Sequence, residues 1–518
     1  MPQSLTVEHP FPLAWRRMAA GFLILALLSG AVFRLAEYVR DRSLWLDEAV
    51  LARNLQQLPA ADLALGRLTD DQVAPPGFLL TVKAATRLLG DGEPVLRLLP
   101  FIAGLGLLIL FGAQAWRRLG PLGALAAAML LAWSWPLIYY SNEFKPYGTD
   151  ALLAFLFFIW AQPIEPREFT RRRAGCVAIA GLAALWFSLP AVFLLAAWGL
   201  REIFSARRRH SRAEFTRWAI IGVVWVLGLA AQLGASYHAT LGNPRLFDYH
   251  QQTFLSIWPP AAAVASAQSG LVDTWALATS AATGWLWCAF LLAGAWAGWR
   301  RHRGETVFIA VVVALTALAS LLHLYPCTLR LLLFSFPLLF WLVGRGVDFV
   351  AAIPRPWVIP VLAVALAIGI CPLARDGLVE ARIPIAREDL RPVVAELARR
   401  AQPGDAIVVF DFTRYAFDYY WPRVTHADVP VYDVIFDQDA PADSAMLEAK
   451  VAPVFTGHPA RLWLVATHYE VGAGQDNLRG VVAALRGRYP RAADFVPLGG
   501  TAQGVVFFAP ATPSAPMP

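Results

Sequence analysis

The chain has 518 residues, 58% of them hydrophobic and 16% charged, with 20 Trp, 31 Phe and a formal net charge of +7. Soluble domains average nearer about 45–50% apolar and about 25% charged, so an ordinary soluble protein is excluded. The basic residues form short clusters between apolar segments, a pattern of membrane orientation and not of nucleic-acid binding.

In chain order, Arg16 and Arg17 precede an apolar run from Met18 to Phe33, and no small-residue cleavage motif follows. This reads as an uncleaved first transmembrane helix. A span needs about 20 mostly apolar residues. Candidate spans are 17–37, 95–115, 121–140, 147–163, 174–188, 189–204, 217–236, 274–299, 305–325, 329–344 and 357–375, with Pro190 dividing the fifth from the sixth. With these eleven spans, Arg16/Arg17, Arg117/Arg118, Arg167 with Arg171 to Arg173, Arg207 to Arg209 with Arg212, Arg300/Arg301/Arg303 and Arg345/Arg355 all fall on one side. The positive-inside rule makes that side cytoplasmic. The segment 76–89, "PGFLLTVKAATRLL", must then lie along the outer surface as an amphipathic helix. At 14 residues, with Lys83 and Arg87 inside it, it is too short and too charged to cross.

The outer side thereby receives the first loop (38–94), "YYSNEFKPYG" (139–148), the loop 237–272, "HLYPCTLR" (323–330) and everything from 376 onward. These segments frame one candidate site above an apolar bundle. In the last part, "DAIVVF" (405–410), "RLWLVA" (461–466) and "GVVFFA" (504–509) read as strands, and 389–401 and 475–488 as helices. The expected architecture is an α-helical polytopic membrane module of about 11 transmembrane helices over 1–375. A small extracytoplasmic α/β domain over 376–510 and a disordered tail over 511–518 follow it. The four cysteines, Cys176, Cys288, Cys327 and Cys371, form no CxxC pair and set up neither a disulfide framework nor a zinc site.

Each motif has two readings. In "SLWLDEAVLARNL" (43–55), Ser43 could cap a helix whose early turns hold Asp47 and Glu48, with Leu51, Leu55 and Leu58 as its buried stripe. Alternatively, one carboxylate is a general base acting on an acceptor nucleophile. In "QVAPPGF" (72–78) the prolines fit an extended entry and a first helical turn, while Gln72 could face the site. The 139–148 loop is either a solvated turn with a belt of Tyr139, Tyr140 and Tyr147, or the place where Glu143 and Lys145 meet a phosphate. Arg330 opens an apolar span on the outer side, either snorkelling or binding phosphate. His323 reads as interfacial rather than as a ligand, and His238 and His250 carry no assignment.

A W-x-D-E element after the first span, a Pro-Pro interfacial helix, a "YSNEFKPY" loop and a late P-x-x-x-R opening an apolar span together resemble the GT-C superfamily of membrane glycosyltransferases. The match is to the family 39 type, which includes protein O-mannosyltransferases and the lipid A aminoarabinose transferase, and it covers roughly residues 15–345. The resemblance implies inverting transfer of a sugar from a polyprenyl-phosphate donor to a glycan, lipid or protein acceptor, on the non-cytoplasmic face of a bacterial inner membrane. Residue by residue, Asp47 resembles the catalytic acid with Glu48 its companion. Lys145 and Arg330 resemble the donor-phosphate ligands, and Glu143 and Tyr147 resemble site-lining residues. Lysine stands in "FKPY" where arginine is common, Ala74 precedes the Pro-Pro pair where some members place Lys or His, and leucine follows Arg330 in place of tyrosine. Sugar, acceptor and any dependence on a divalent metal stay open. A lipid-linked-sugar flippase is the alternative of another class, although no internal repeat or mid-membrane ionisable pair points to one. A non-catalytic membrane scaffold is the third reading.

Overall fold

The computed structural model describes residues 13–161, 169–236, 240, 242–382, 388–425, 428–436, 441–469, 473–495 and 502–509. The expected tail over 511–518, with Arg167 and His238, lies outside them. The chain divides into two compact units, Met1–Arg40 with Leu58–Pro384, and Asp41–Gln57 with Ile385–Pro518.

The first unit is helical. Helix α1 (Leu13–Val39) is followed by α2 (Leu46–Gln57), which belongs to the second unit, and by the short α3 (Ala60–Ala64). Helix α4 (Pro76–Leu89) has the predicted bounds. Pro75 is extended and Pro76 takes the first turn, where a missing N–H costs nothing. Phe78, Leu79 and Val82 are its buried face, and the Lys83 ammonium donates to the Leu58 carbonyl at 2.6 Å. After α5 (Glu93–Arg118) come α6 (Pro121–Trp133) and α7 (Trp135–Tyr139), so the span expected over 121–140 is broken, with a bend of 58°. Proline at 136 and the turn at Ser134 end the first helix. The fully buried Arg34 of α1 donates to the carbonyls of Leu131 and Ala132, each at 3.1 Å. In hydrocarbon, freed carbonyls need such partners.

Helices α8 (Tyr147–Trp160), α9 (Arg171–Phe187), α10 (Ala191–Arg208) and α11 (Arg212–Ala235) follow, then the short α12 (Pro244–His250), α13 (Pro260–Ala267) and α14 (Thr274–Thr279). The bundle closes with α15 (Gly284–Arg301), α16 (Arg303–Leu321), the single turn α17 (Leu329–Leu332), α18 (Phe336–Ala351) and α19 (Val358–Arg382). The span expected over 274–299 is also broken, with 101° between its two helical stretches. By length and composition six described helices can cross a membrane, or eight if each bent pair is one span. Those criteria leave out α8, with 14 residues, and α9, with 17.

Packing inside the bundle uses small residues where helices approach closely. A Cβ on Gly346 of α18 would lie 1.9 Å from the Phe290 carbonyl of α15, and one on Gly294 would lie 1.8 Å from the Leu342 carbonyl. Trp287 of α15 and Trp341 of α18 are fully buried, and Trp198 of α10 and Trp218 of α11 are buried against each other. Two of the predicted basic ends, at Arg118 and Arg345, meet. Arg345 donates to the Arg118 carbonyl at 3.0 Å and to Glu305 at 2.9 Å, and Asp348 accepts the backbone N–H groups of Gly120 and Gly123.

The second unit adds α20 (Leu390–Arg400), β1 (Ala406–Phe410), α21 (Thr413–Val424), β2 (Val431–Val434), α22 (Ser444–Val451), β3 (Arg461–Ala466), α23 (Gly474–Arg488), β4 (Arg491–Asp494) and β5 (Gln503–Phe508). The sheet order is β2-β1-β3-β5-β4. Strand β1 runs parallel to β2 and β3, and β5 runs antiparallel to β3 and β4. Its core is built on Val408, Phe410, Leu462, Leu464, Val481 and Phe507.

Candidate functional site

In the first unit the predicted 139–148 loop is not solvated: every residue of it is buried. Helix α7 runs into a 3-10 turn at Tyr140–Asn142, Glu143 turns extended, and Pro146 restarts the helix at Tyr147. Ser141 and Asn142 donate to the Ile138 carbonyl at 2.7 and 2.9 Å, which ties the turn to the helix before it. The three tyrosines form no interfacial belt. Tyr140 meets Tyr139 and Tyr147 edge-on, with centroids 5.2 and 5.4 Å apart.

This scaffold buries the two charged side chains of the loop, Glu143 at 0% and Lys145 at 4% exposure. The Lys145 ammonium donates to Oε1 of Gln72 at 2.6 Å. Two predicted residues from separate segments therefore meet. Burying a charge is costly unless it is hydrogen-bonded or paired, and the bond to Gln72 meets that need.

Arg330 is half-buried on α17. Tyr325 donates to the Leu331 carbonyl at 2.9 Å, one residue beyond Arg330. Burial holds the Tyr325 phenol well above its usual pKa, and nearby Asp150 and Tyr147 add to that. The segment carrying Arg330 therefore lies beside the start of α8. His323 is exposed, in the left-handed region at φ 57°, against the rings of Phe247 and Phe254. It does not join the buried Gln72–Lys145 pair. His250 is buried beside Thr253.

Asp47 and Glu48 occupy the first turn of α2 in the second unit, Asp47 half-buried and Glu48 fully buried. Ser43 is not the cap: its hydroxyl donates to Asp389, and the Trp45 carbonyl accepts the N–H groups of Glu48 and Ala49. Leu51 and Leu55 are buried as expected, but α2 packs on α21, so this stripe serves a protein core. Leu58, outside the helix, is half-buried. The start of α2 is held at three points. The Tyr420 hydroxyl accepts the Leu44 N–H at 2.7 Å, Glu388 accepts the Leu46 N–H at 3.0 Å, and Arg391 pairs with Asp41 at 2.7 Å.

Sequence reasoning missed Glu388, His468 and Asp411. Oε1 of Glu388 lies 2.7 Å from Nδ1 of His468. Asp411 follows β1, and His468 comes two residues after β3. The one available signal was position, since polar residues at the carboxyl ends of parallel strands are where α/β sheets place ligand sites. Among the described residues no group of three or more His, Cys, Asp or Glu is arranged to hold a metal ion.

No protein-family model matches the sequence, and neither does any curated protein. Solved structures do. ArnT from Cupriavidus metallidurans bound to undecaprenyl phosphate aligns with a TM-score of 0.53 at 16% identity, over 94% of this chain and 98% of that one. The Archaeoglobus fulgidus oligosaccharyltransferase in its apo form aligns with a TM-score of 0.53 at 11% identity, over 87% and 69%. The archaeal oligosaccharyltransferase AglB from Archaeoglobus fulgidus, in complex with an inhibitory peptide and a dolichol-phosphate, aligns with a TM-score of 0.52 at 11% identity, over 98% and 76%. These likenesses span both units, and with the bundle and its terminal α/β unit they identify a multi-pass membrane protein with the GT-C glycosyltransferase fold.

Proposed function

We propose that the protein is a membrane glycosyltransferase that moves a sugar from a polyprenyl-phosphate donor to an acceptor on the extracytoplasmic face, with inversion at the anomeric carbon. The observation that carries the reading is the buried Lys145 ammonium, held by Gln72 in a loop that resembles the family's donor-phosphate element. The fold supports it, since the ArnT crystal structure has undecaprenyl phosphate bound and the AglB structure is a complex with a dolichol-phosphate. The proposed setting is a bacterial inner membrane with the N-terminus cytoplasmic and the residues from 376 outside.

In the proposed reaction Asp47 takes the proton from an acceptor hydroxyl or amine, with Glu48 its companion in the first turn of α2. The acceptor oxygen or nitrogen bonds to the anomeric carbon as the bond from that carbon to the phosphate oxygen breaks. The electron pair stays on the departing polyprenyl phosphate, and the proton later passes from Asp47 to water. The transition state is oxocarbenium-like, as in glycoside hydrolysis. Lys145 and Arg330 would stabilise the charge growing on the phosphate, while Glu143 and Tyr147 would shape the loop around it. A single removed charge-stabilising donor typically costs about 10²–10³-fold in rate.

The test is a transfer assay in proteoliposomes with a panel of polyprenyl-phosphate sugars, comparing wild type, Asp47→Asn and Arg330→Ala. Wild-type transfer with near-total loss in Asp47→Asn supports the reading. Undiminished transfer by Asp47→Asn would refute the base, and undiminished transfer by Arg330→Ala the phosphate role.

A further inference from the structure

Polar groups in the second unit converge on the helix that carries Asp47. Glu388 is buried and immediately precedes the segment leading into α20. Its two oxygens do different things. One accepts the Leu46 N–H at 3.0 Å, at the first residue of α2 and one residue before Asp47. The other lies 2.7 Å from Nδ1 of His468. Asp411 and His468 follow the neighbouring parallel strands β1 and β3, whose last residues, Phe410 and Ala466, are register partners. Both adopt the left-handed region, Asp411 at φ 47° and His468 at φ 53°. Such conformations in non-glycine residues cost free energy and persist where surrounding structure enforces them. Here Thr413 accepts the Thr467 N–H at 2.8 Å and fixes the turn before His468.

Three acidic groups act on the imidazole: Glu388 ahead of α20, Asp47 on α2 and Asp411 after β1. Burial alone would lower the His468 pKa, but the hydrogen bond and charge of Glu388, then Asp47 and Asp411, carry it above the ordinary 6.5. Coulombic attraction is mutual, so a protonated His468 favours the ionised form of Asp47. A base must be ionised to accept a proton, and other carboxylates nearby oppose that by like-charge repulsion.

We propose that His468 is a positioning residue for the transfer reaction: through Glu388 it fixes the start of α2 and with it the Asp47 carboxylate. This rests on the glycosyltransferase reading with Asp47 as base. The role is electrostatic and geometric, and His468 exchanges no proton with substrate.

The experiment is the pH profile of kcat for sugar transfer in proteoliposomes, with wild type, His468→Gln and His468→Arg. Glutamine retains a donor toward Glu388 without charge, and arginine retains charge at every pH. The expected result is an acidic limb moved up by about one pH unit in His468→Gln, with donor KM unchanged, and a limb returned to within a few tenths of a unit of wild type in His468→Arg. Identical profiles for the two variants overturn the proposal, as does a pH-independent drop in His468→Gln or the absence of folded protein from both. Absence of transfer by wild type with any donor refutes the underlying enzyme reading instead, and the two failures are thereby separate.

Discussion

Replacing Lys145 with methionine removes the charge while keeping most of the side chain's length and apolar stem. The side chain is 4% exposed and its ammonium lies 2.6 Å from Oε1 of Gln72. A hydrogen bond involving a charged group is worth about 1.5–3 kcal/mol, and the buried amide oxygen left behind costs about 1–3 kcal/mol. Stability should therefore fall by about 1–3 kcal/mol, an effect read in thermal unfolding. If the ammonium also stabilises the leaving phosphate, kcat falls by about 10²–10³-fold, equivalent to about 2.7–4 kcal/mol at the transition state. Gln72→Leu separates the two effects, because it breaks the same hydrogen bond but leaves the cation. Purified variants assayed with saturating donor should show Gln72→Leu losing less than about tenfold and Lys145→Met at least about a hundredfold. Equal losses in the two variants, in step with equal losses of stability, would refute the phosphate role and leave Lys145 a structural residue.

Two further outcomes follow from the two units. Gly346→Ala places a methyl 1.9 Å from the Phe290 carbonyl and forces α18 from α15; unfolding in detergent should show about 1–3 kcal/mol of destabilisation or more, whereas Gly222→Ala, at a glycine with open space around it, should be near neutral. His468 contributes stability in its charged form because its pKa is raised on folding. That contribution is complete below the unfolded value of 6.5 and is lost as pH rises through the higher folded value. Melting of wild type should accordingly fall more steeply than melting of His468→Gln as pH rises above 6.5, and parallel curves would contradict it.

The elements legible in the sequence were those whose signal is local. Runs of five and six residues, Ala406–Phe410 and Arg461–Ala466, are buried along nearly their whole length, and their composition announced strands. Strands β2 and β4 were missed because "VYDV" and "RAAD" are short, partly exposed edges whose pairing comes from neighbours. Apolar runs announced the bundle helices, yet the breaks at Ser134 and at 280–283 did not appear as charge or hydropathy. Pro136 helps set the first, but its freed carbonyls depend on a tertiary partner, Arg34 on Leu131 and Ala132. Lys145 was found by motif, whereas its burial was not foreseeable from a ten-residue loop of mostly polar and aromatic residues. Glu388 and His468 are 80 residues apart and each reads locally as a loop residue. The sheet sets the ends of β1 and β3, and so Asp411 and His468, side by side, and Glu388 joins them from the segment ahead of α20.

The membership of α2 in the second unit has a consequence for dissecting the protein. The sequence reading set a small extracytoplasmic α/β domain after 375 and placed Asp47 in the membrane module. In the structure, Asp41–Gln57 folds with Ile385–Pro518. Leu44, Val50, Leu51 and Leu55 are each buried to within 3% exposure, and α2 packs on α21. At about 1.5–3 kcal/mol for each buried side chain, these four represent roughly 6–12 kcal/mol. That is comparable to the whole stability of a domain, about 5–15 kcal/mol. A chain ending at Arg382 should therefore lose the helix that carries the proposed base, and not merely a region for acceptor recognition. Limited proteolysis should cut such a chain between residues 41 and 57 at a protease concentration that leaves the full chain intact, and transfer to every acceptor should be abolished. Full-rate transfer to even a minimal acceptor by that shortened chain would show that Asp47 keeps its place without the second unit.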